Sequence, residues 1–539
     1  MQASKGLVQW GMPDEPRVIS THPPGEAFPS VCGGPAWPVD TPGGRYYAEL
    51  DLDAPVTREG QLIFFAQFLH SGGRWARLLE GCPLRYQGNR GSEVVNVIGT
   101  AALSVLCGHW RYAHINSVRG DTLNPPLLGM SGTVSEDVVR RAMKRMDEGA
   151  GLAWLSGELR ACIEPVLRVP WVLDIDCTVK PLYGHQQGAQ IGYNPHKPGR
   201  PSHCYHSYFM AGVRLCLGVE VCGGKEHAAR HGLPGLWSLL DALPRTHWPA
   251  FIRGDCAYGN EQLLVEAEAR AVPCFFKLKH TPKVKVLVAQ MTRAGSHWQP
   301  AGDGWEVLES SLRLSGWSRE RRVVLVRESP AIAPIGEHAR RRRDHSQPML
   351  PETRGWVGGP APWAGKIAVL VTTLDASAYP AEALARLYRE RADAENIYDE
   401  LKNQWGWNGY TTQKLGPTRL MANLIALVYN WWNLYARLYD SEHHREAITS
   451  RPALLSGVGR LLRHGGQRTV KVSLQHEKAG LIGEAIRMVS NTLARVNAIA
   501  ERWTVEQRWT LLLTHILRHW LGGKWIGELP PGAERLLSG

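Results

Sequence analysis

The chain lacks any segment suited to a lipid bilayer. Its 539 residues contain no uncharged apolar run of about 18 residues, whereas a membrane-spanning helix needs about 20. The amino terminus also lacks the charged and then apolar pattern of a secretion signal. We therefore expect no membrane partner and a cytoplasmic protein.

Closely paired cysteines are missing as well. The 10 cysteines include no Cys-x2-Cys pair, which disfavours a zinc ribbon or a redox motif. The run His203-Cys204-Tyr205-His206 offers half of a zinc site, but nothing in the sequence supplies the other half. The better interpretation is a reduced protein whose thiols serve as small apolar side chains.

Basic charge is abundant and unevenly distributed. The formal net charge is +12 and the pI is about 9.2, which suits an anionic polymer as partner. Residues 411–539 hold 17 lysines and arginines against 9 acidic residues, a net charge of +8. The length allows several domains, each with its own core.

Residues 388–402 form the most informative stretch. At the 100° per residue of an α-helix, one arc of about 60° holds a phenol, two cations and a carboxylate, namely Tyr388, Arg391, Lys402 and Glu395. The alternative interpretation is a solvated amphipathic helix with i,i+4 and i,i+7 charge pairs.

Two predicted strands carry further carboxylates. Residues 170–178 place Asp174 and Asp176 on one strand face, and residues 249–258 place Asp255 at the carboxyl end of a second strand. A single aspartate at a strand end is more often a helix cap or turn former. Together with a helix-borne glutamate, however, they provide the oxygen ligands with which two divalent cations act on a phosphodiester.

The motif Y-x2-R-x3-E-x6-K, met in full by Tyr388, Arg391, Glu395 and Lys402, resembles the signature of cut-and-paste DDE transposases from bacterial insertion sequences. In that family the first catalytic aspartate lies on a strand just before a threonine, as in Asp176-Cys177-Thr178, and the second follows an apolar strand. The resemblance covers roughly residues 90–435. Asp174 remains the rival of Asp176 for the first position.

The resemblance implies that Asp176, Asp255 and Glu395 are catalytic and hold two Mg²⁺ ions, which Mn²⁺ can replace. It also implies that Tyr388, Arg391 and Lys402 grip the terminal phosphate of the non-transferred strand. The implied partners are double-stranded DNA, as inverted-repeat ends and target, and a second copy of the chain when DNA is bound. A bacterial, nucleoid-associated location would follow.

The order of elements predicts an α+β or mixed α/β chain with a ribonuclease H-like catalytic core. The core is expected to be interrupted by a β-rich insertion and flanked by helical N- and C-terminal domains. The predicted parts are an irregular arm (1–58), a helical DNA-binding domain (59–164), the catalytic domain (165–280 and 366–438), the insertion (281–365) and a helical, basic C-terminal domain (439–539).

Two further segments are candidate DNA contacts. In 131–147, Ser135 is expected to cap a helix that turns Arg140, Arg141 and Lys144 outward, as in a helix-turn-helix. In the insertion, Trp363 lies just before the strand that re-enters the core, where its ring could stack on a flipped base. The alternatives are an ordinary basic helix face and a tryptophan in the small core of the insertion.

Together with these features, the resemblance implies a DNA transposase that binds terminal inverted repeats, cleaves the transposon ends and joins them to target DNA by two-metal phosphodiester hydrolysis and strand transfer. One alternative is a ribonuclease H-fold nuclease or resolvase that cuts without joining. The other is a domesticated, non-catalytic DNA-binding protein.

Overall fold

The computed structural model describes residues 37–48, 54–86, 91–194, 197–226, 228–293, 296–329 and 367–528, with 530 and 533. The chain divides into two units, Met1–Ala54 and Pro55–Gly539. Within the first unit, strands β1 (Trp37–Thr41) and β2 (Gly44–Ala48) form an antiparallel hairpin. The predicted irregular arm therefore contains regular structure in its described part.

The strands of the second unit are β3 (Val56–Thr57), β4 (Val172–Pro181), β5 (Gln190–Ile191), β6 (Pro201–Met210), β7 (Leu215–Gly223), β8 (Phe251–Gly254), β9 (Cys274–Lys277), β10 (Gln299–Pro300), β11 (Trp305–Leu312), β12 (Arg321–Glu328), β13 (Ala368–Thr372), β14 (Val458–His464) and β15 (Gln467–Ser473).

Its α-helices are α1 (Leu62–Ser71), α2 (Arg74–Gly81), α3 (Val94–Leu106), α4 (Asn124–Leu127), α5 (Glu136–Arg145), α6 (Glu148–Ile163), α7 (Ala228–Asp241), α8 (Glu261–Ala269), α9 (Pro282–Met291), α10 (Ala381–Glu390), α11 (Ala392–Asn403), α12 (Leu415–Arg437), α13 (Ala447–Leu454), α14 (Ala479–Ala498) and α15 (Val505–Ile516). Short 3₁₀ helices span Tyr112–Val118, Glu164–Arg168 and Arg245–His247. None of the helices described is long and apolar enough to cross a membrane.

A mixed central sheet organises the second unit, in agreement with the predicted mixture of helices and strands. Its order is β10-β11-β12-β13-β9-β8-β4-β6-β5, and β7 also pairs with β6. Strands β4, β8 and β9 run parallel to one another, whereas β6 runs antiparallel to both of its neighbours, β4 and β7. The carboxyl ends of these three parallel strands therefore lie at the same end of the sheet.

The insertion was predicted to be a separate β-rich subdomain, but its described part belongs to the central sheet. Strand β12 pairs with β13, and β13 pairs with β9, so the hairpin β11–β12 extends the central sheet. The physical reason lies in the run 323–326, Val-Val-Leu-Val, whose side chains are buried on both faces of β12 in two separate clusters. A strand covered on both faces belongs inside a large sheet.

Helix α12 is buried along almost its whole length and covers the free edge of β7. Asparagine side chains of α12 make hydrogen bonds of the kind that a neighbouring strand would otherwise make with this edge. Asn430 accepts from the backbone N–H of Cys216 at 2.8 Å and donates to the Cys216 carbonyl at 2.7 Å. Asn423 donates to Val219 O at 3.1 Å, and Asn433 donates to Val213 O at 3.1 Å. Edge-strand groups that would otherwise be buried without partners are thus hydrogen-bonded.

The region 439–539, predicted to be helical, also contains strands. Strands β14 and β15 form an antiparallel hairpin, and β14 pairs with β3 from the beginning of the second unit. The sequence of this hairpin explains the difference, because β-branched Val458, Val470 and Val472 flank a Gly465-Gly466 pair with positive φ at both residues. Two such glycines favour a tight hairpin turn and disfavour a helix.

Candidate active site

Asp176 and Asp255 are brought to neighbouring positions by the parallel pair β4 and β8. Ile175 lies opposite Gly254 in this pair, and the residue that follows each of them in the chain is an aspartate. Asp255 accepts a hydrogen bond from the backbone N–H of Ala257 at 2.8 Å, which fixes the turn into α8. Two of the three predicted catalytic carboxylates therefore lie side by side, one within β4 and the other directly after β8.

The Asp176 carboxylate has two described partners. Its Oδ1 accepts from the N–H of Cys177 at 2.7 Å, and its Oδ2 accepts from Arg391 Nη2 at 2.8 Å. Burial raises the pKa of Asp176 to about 6; the Arg391 guanidinium acts to lower it, and the Asp255 carboxylate acts to raise it further. A cation between the two aspartates would relieve their mutual repulsion.

Asp174, the rival for the first carboxylate position, is in a buried ion pair. Its two oxygens accept from Arg253 Nε and Nη2 at 2.5 and 2.8 Å, and both side chains are almost fully buried. Arg253 also donates to the backbone carbonyl of Leu387 in α10. The bidentate pair therefore joins β4, β8 and the end of α10, and it occupies both Asp174 oxygens.

The single helix predicted over residues 388–402 is interrupted. Helix α10 ends at Glu390, α11 begins at Ala392, and Arg391 between them donates its N–H to Tyr388 O at 3.2 Å. The shared arc of about 60° requires an unbroken helix, so Tyr388 in α10 does not share it with the residues of α11. The Arg391 side chain, 11% exposed, is directed instead to Asp176.

Three contacts fix α11 against strand β4, which carries Asp176, and its neighbour β6. Besides the Arg391 pair, the Tyr398 hydroxyl lies 2.6 Å from Ser207 Oγ, and Lys402 Nζ donates to Thr178 Oγ1 at 3.0 Å. Ser207 lies directly opposite Asp176 in the β4–β6 ladder. Tyr398 was not among the predicted site residues, although its spacing of seven residues from Arg391 indicates a shared helix face.

Glu395 lies in α11 between Arg391 and Tyr398, but its side chain is outside the described residues. Within the described part of the chain, no group of three or more His, Cys, Asp or Glu side chains forms a metal site. The convergence of all three carboxylates therefore stays a prediction.

The remaining predicted DNA contacts are Tyr388, the cations of helix α5 and Trp363. Tyr388 is half-buried, with Lys277 Nζ 5.9 Å from its ring centre. Helix α5 begins as predicted, with Ser135 accepting from Val138 N at 3.4 Å. The side chains that α5 exposes, as predicted, include Arg140, Arg141 and Lys144. Trp363 falls outside the described residues.

Comparison with known proteins identifies the family. Residues 141–493 match the family model of the transposase DDE domain, group 1. This match spans well over half of the chain, and the protein belongs to this family of DDE transposases. A search of curated proteins gives no match.

Among solved structures, one match is the cryo-EM structure of a piggyBac transposase synaptic complex with hairpin DNA. It covers 88% of this chain and 86% of that chain, at 11% sequence identity and a TM-score of 0.33. Similarity at this level does not establish a common fold, so the family assignment depends on the family model.

Proposed function

We propose that this DDE transposase binds terminal inverted repeats, cleaves the transposon ends and joins them to target DNA, as cut-and-paste enzymes of bacterial insertion sequences do. The observation that carries the proposal is that Asp176 in β4 and Asp255, the residue directly after β8, follow the paired residues Ile175 and Gly254 of two parallel strands. The strand order β7-β6-β4-β8-β9, antiparallel and then parallel, supports a ribonuclease H-like core around them.

Glu395 is proposed as the third carboxylate. Its helix is held along β4 and β6 by Arg391, Tyr398 and Lys402, on both sides of Glu395 in sequence. Helix α11 therefore covers the face of the sheet from which the Asp176 side chain projects. This arrangement supports Glu395 as the helix-borne member of the triad.

The donor set fits divalent metal ions. Asp176 and Asp255 offer hard oxygen ligands, and a cation between them would offset the effect by which the Asp255 carboxylate raises the pKa of Asp176. Asp176, Asp255 and Glu395 would hold two Mg²⁺ ions, or Mn²⁺ in their place. When bound, the ions would activate a water or a DNA 3′-hydroxyl and stabilise the leaving oxygen.

Arg391, Lys402 and Tyr388 are proposed to bind the terminal phosphate of the non-transferred strand. Arg391 and Lys402 already lie beside β4 within contact distance of Asp176 and Thr178, so DNA at the carboxylates would meet both cations. A guanidinium can grip a phosphate bidentately, and an ammonium adds a point charge. The exposed face of α5, with Arg140, Arg141 and Lys144, is proposed to contact the duplex.

The test is cleavage and joining of end DNA in Mg²⁺ by the full chain. Asp176→Asn, Asp255→Asn and Glu395→Gln are each expected to abolish cleavage while retaining end-DNA binding. Asp399→Asn is the matched control, because Asp399 is an exposed carboxylate on the same helix.

Normal cleavage by Glu395→Gln would contradict the assignment. Cleavage without joining would favour a nuclease or resolvase instead. A wild-type protein that binds ends but cuts nothing would favour a domesticated DNA-binding protein.

A further inference from the structure

The β14–β15 hairpin, residues 458–473, is a two-stranded ribbon whose outer half is exposed; we call it the basic ribbon. It turns through Gly465 and Gly466, with φ of 55° and 79°. Its base is anchored, because Gly459 pairs with Thr57 of β3 and Leu461 N donates to Pro55 O at 3.0 Å. The ribbon therefore projects from a fixed base.

The ribbon carries positive charge without compensation. No acidic residue occurs between Glu446 and Glu477. Arg460 lies directly opposite Lys471, and Arg463 lies directly opposite Arg468. All four cations are exposed, and none takes part in an ion pair within the described part of the chain. Like charges directly opposite each other destabilise a hairpin, so the arrangement favours an external polyanion.

The two like-charge pairs lie on opposite faces of the ribbon. Side chains alternate between faces along a strand, so Arg460 and Lys471 share one face with Leu462, whereas Arg463 and Arg468 share the other. A flat acidic surface could contact only one of these pairs. The major groove of DNA admits a two-stranded ribbon and has a phosphate backbone on either side, so it offers anions to both faces at once.

We propose that the basic ribbon inserts into a groove of duplex DNA, with Arg460, Arg463, Arg468 and Lys471 contacting phosphates of both strands. The proposal rests on the proposed function, since it concerns how the transposase holds its DNA. It assigns DNA binding to a segment distinct from the carboxylates and from helix α5.

The experiment measures the affinity of the full chain for a labelled duplex over a range of salt concentrations. The test variant replaces Arg460, Arg463, Arg468 and Lys471 with Gln. Each lost phosphate contact lowers the salt slope by about 0.9, so we expect a decrease of about 2 to 4 and an affinity loss of about tenfold or more. The same variant should retain or raise its Tm, because two like-charge pairs are removed.

Two controls distinguish the effect of removing charge from the ribbon from the effect of lowering the net charge of the chain. Replacing the three ribbon arginines with Lys keeps the charge and should preserve most of the salt slope. Replacing four other exposed cations of the same region with Gln changes net charge equally and should alter the slope less; these are Arg487, Arg502, Arg518 and Lys524.

An unchanged salt slope in the test variant, with wild-type binding and cleavage intact, would overturn the ribbon proposal alone. The ribbon proposal would also be overturned if the test variant lost subunit association but kept its DNA affinity, because the ribbon would then contact protein. A wild-type chain that neither binds nor cleaves duplex DNA would overturn the proposed function and the ribbon together.

Discussion

Arg391 and Asp176 form an ion pair of 2.8 Å that joins the beginning of α11 to strand β4. The same helix is fixed to the sheet farther along by Tyr398–Ser207 and Lys402–Thr178. Steps of seven and four residues keep these three anchors on one face of the helix. The position of Glu395 along the sheet therefore depends on contacts made by its sequence neighbours.

The first prediction concerns Arg391. Arg391→Ala should reduce end cleavage by about two orders of magnitude, as expected for loss of a positioned charge donor at a reacting group. General duplex affinity should change much less, because one phosphate contact among many is lost. Single-turnover cleavage and duplex binding, measured on the same preparation, provide the comparison.

Arg391→Lys is the matched variant for this prediction. It keeps the charge beside Asp176 but loses the guanidinium fork, so it should retain an intermediate rate. Equal loss of cleavage and of duplex affinity in Arg391→Ala would argue for a general DNA contact.

The second prediction concerns the buried Asp174–Arg253 pair. Asp174→Asn leaves the Arg253 guanidinium buried without its counter-charge, and breaking such a pair destabilises a protein by about 3–5 kcal/mol. Chemical denaturation should show this loss, and the double variant Asp174→Asn with Arg253→Met should recover part of it. A stable Asp174→Asn protein that no longer cleaves DNA would instead make Asp174 the first metal ligand.

Sequence reasoning located the strands of both aspartates because each strand is a short apolar run ending in polar residues. It did not assign a partner to Asp174, although an arginine inside an otherwise apolar strand, as at Arg253, indicates a buried counter-charge. It also treated 388–402 as one helix, since periodicity carries no information about a tertiary contact such as the Arg391–Asp176 ion pair, which lies at the interruption. Tertiary contacts of this kind override local helical preference.

The pairing of the hairpin β11–β12 with the central sheet could not be predicted from the sequence either. Its pairing partner, β13, begins 40 residues after β12 ends, and nothing local to either strand specifies the pairing. The apolar run 323–326 was the available signal, because a strand without polar alternation is covered on both faces.

The third prediction concerns the amide contacts of α12 with the edge of β7. Asn430→Leu removes both hydrogen bonds to the Cys216 backbone and leaves those groups buried without partners. We expect a loss of about 1–3 kcal/mol for each unsatisfied group, seen as a lower Tm. The exposed Asn403 is the control: Asn403→Leu should shift the Tm little. A normal Tm for Asn430→Leu would mean that the edge of β7 needs no cap.

The fourth prediction concerns oligomeric state. Two transposon ends must be joined in one event, and a symmetric dimer is the simplest way to supply two active sites. Light scattering of the chain with end DNA should therefore give two chains per two-ended complex. One chain per complex would rule out the dimer, and the unliganded chain measured in parallel would show whether DNA drives association.

The last prediction concerns Lys180, a buried lysine of β4. Its ammonium contacts the Tyr205 hydroxyl and the Gly409 carbonyl, and it lies opposite His203. Burial lowers the pKa of Lys180 from 10.5 to about 7. Between these two values the unfolded chain holds a proton that the folded chain has released, so Lys180 makes stability rise with pH, by up to about 1.4 kcal/mol per pH unit.

Lys180→Met should remove this contribution. Unfolding by denaturant at pH 7, 8 and 9 should show a smaller increase in stability with pH in the variant than in the wild type. The surface variant Lys283→Met serves as control, because Lys283 is exposed and should leave the pH dependence unchanged. Identical pH profiles for the wild type and Lys180→Met would show that the buried amine keeps its ordinary pKa.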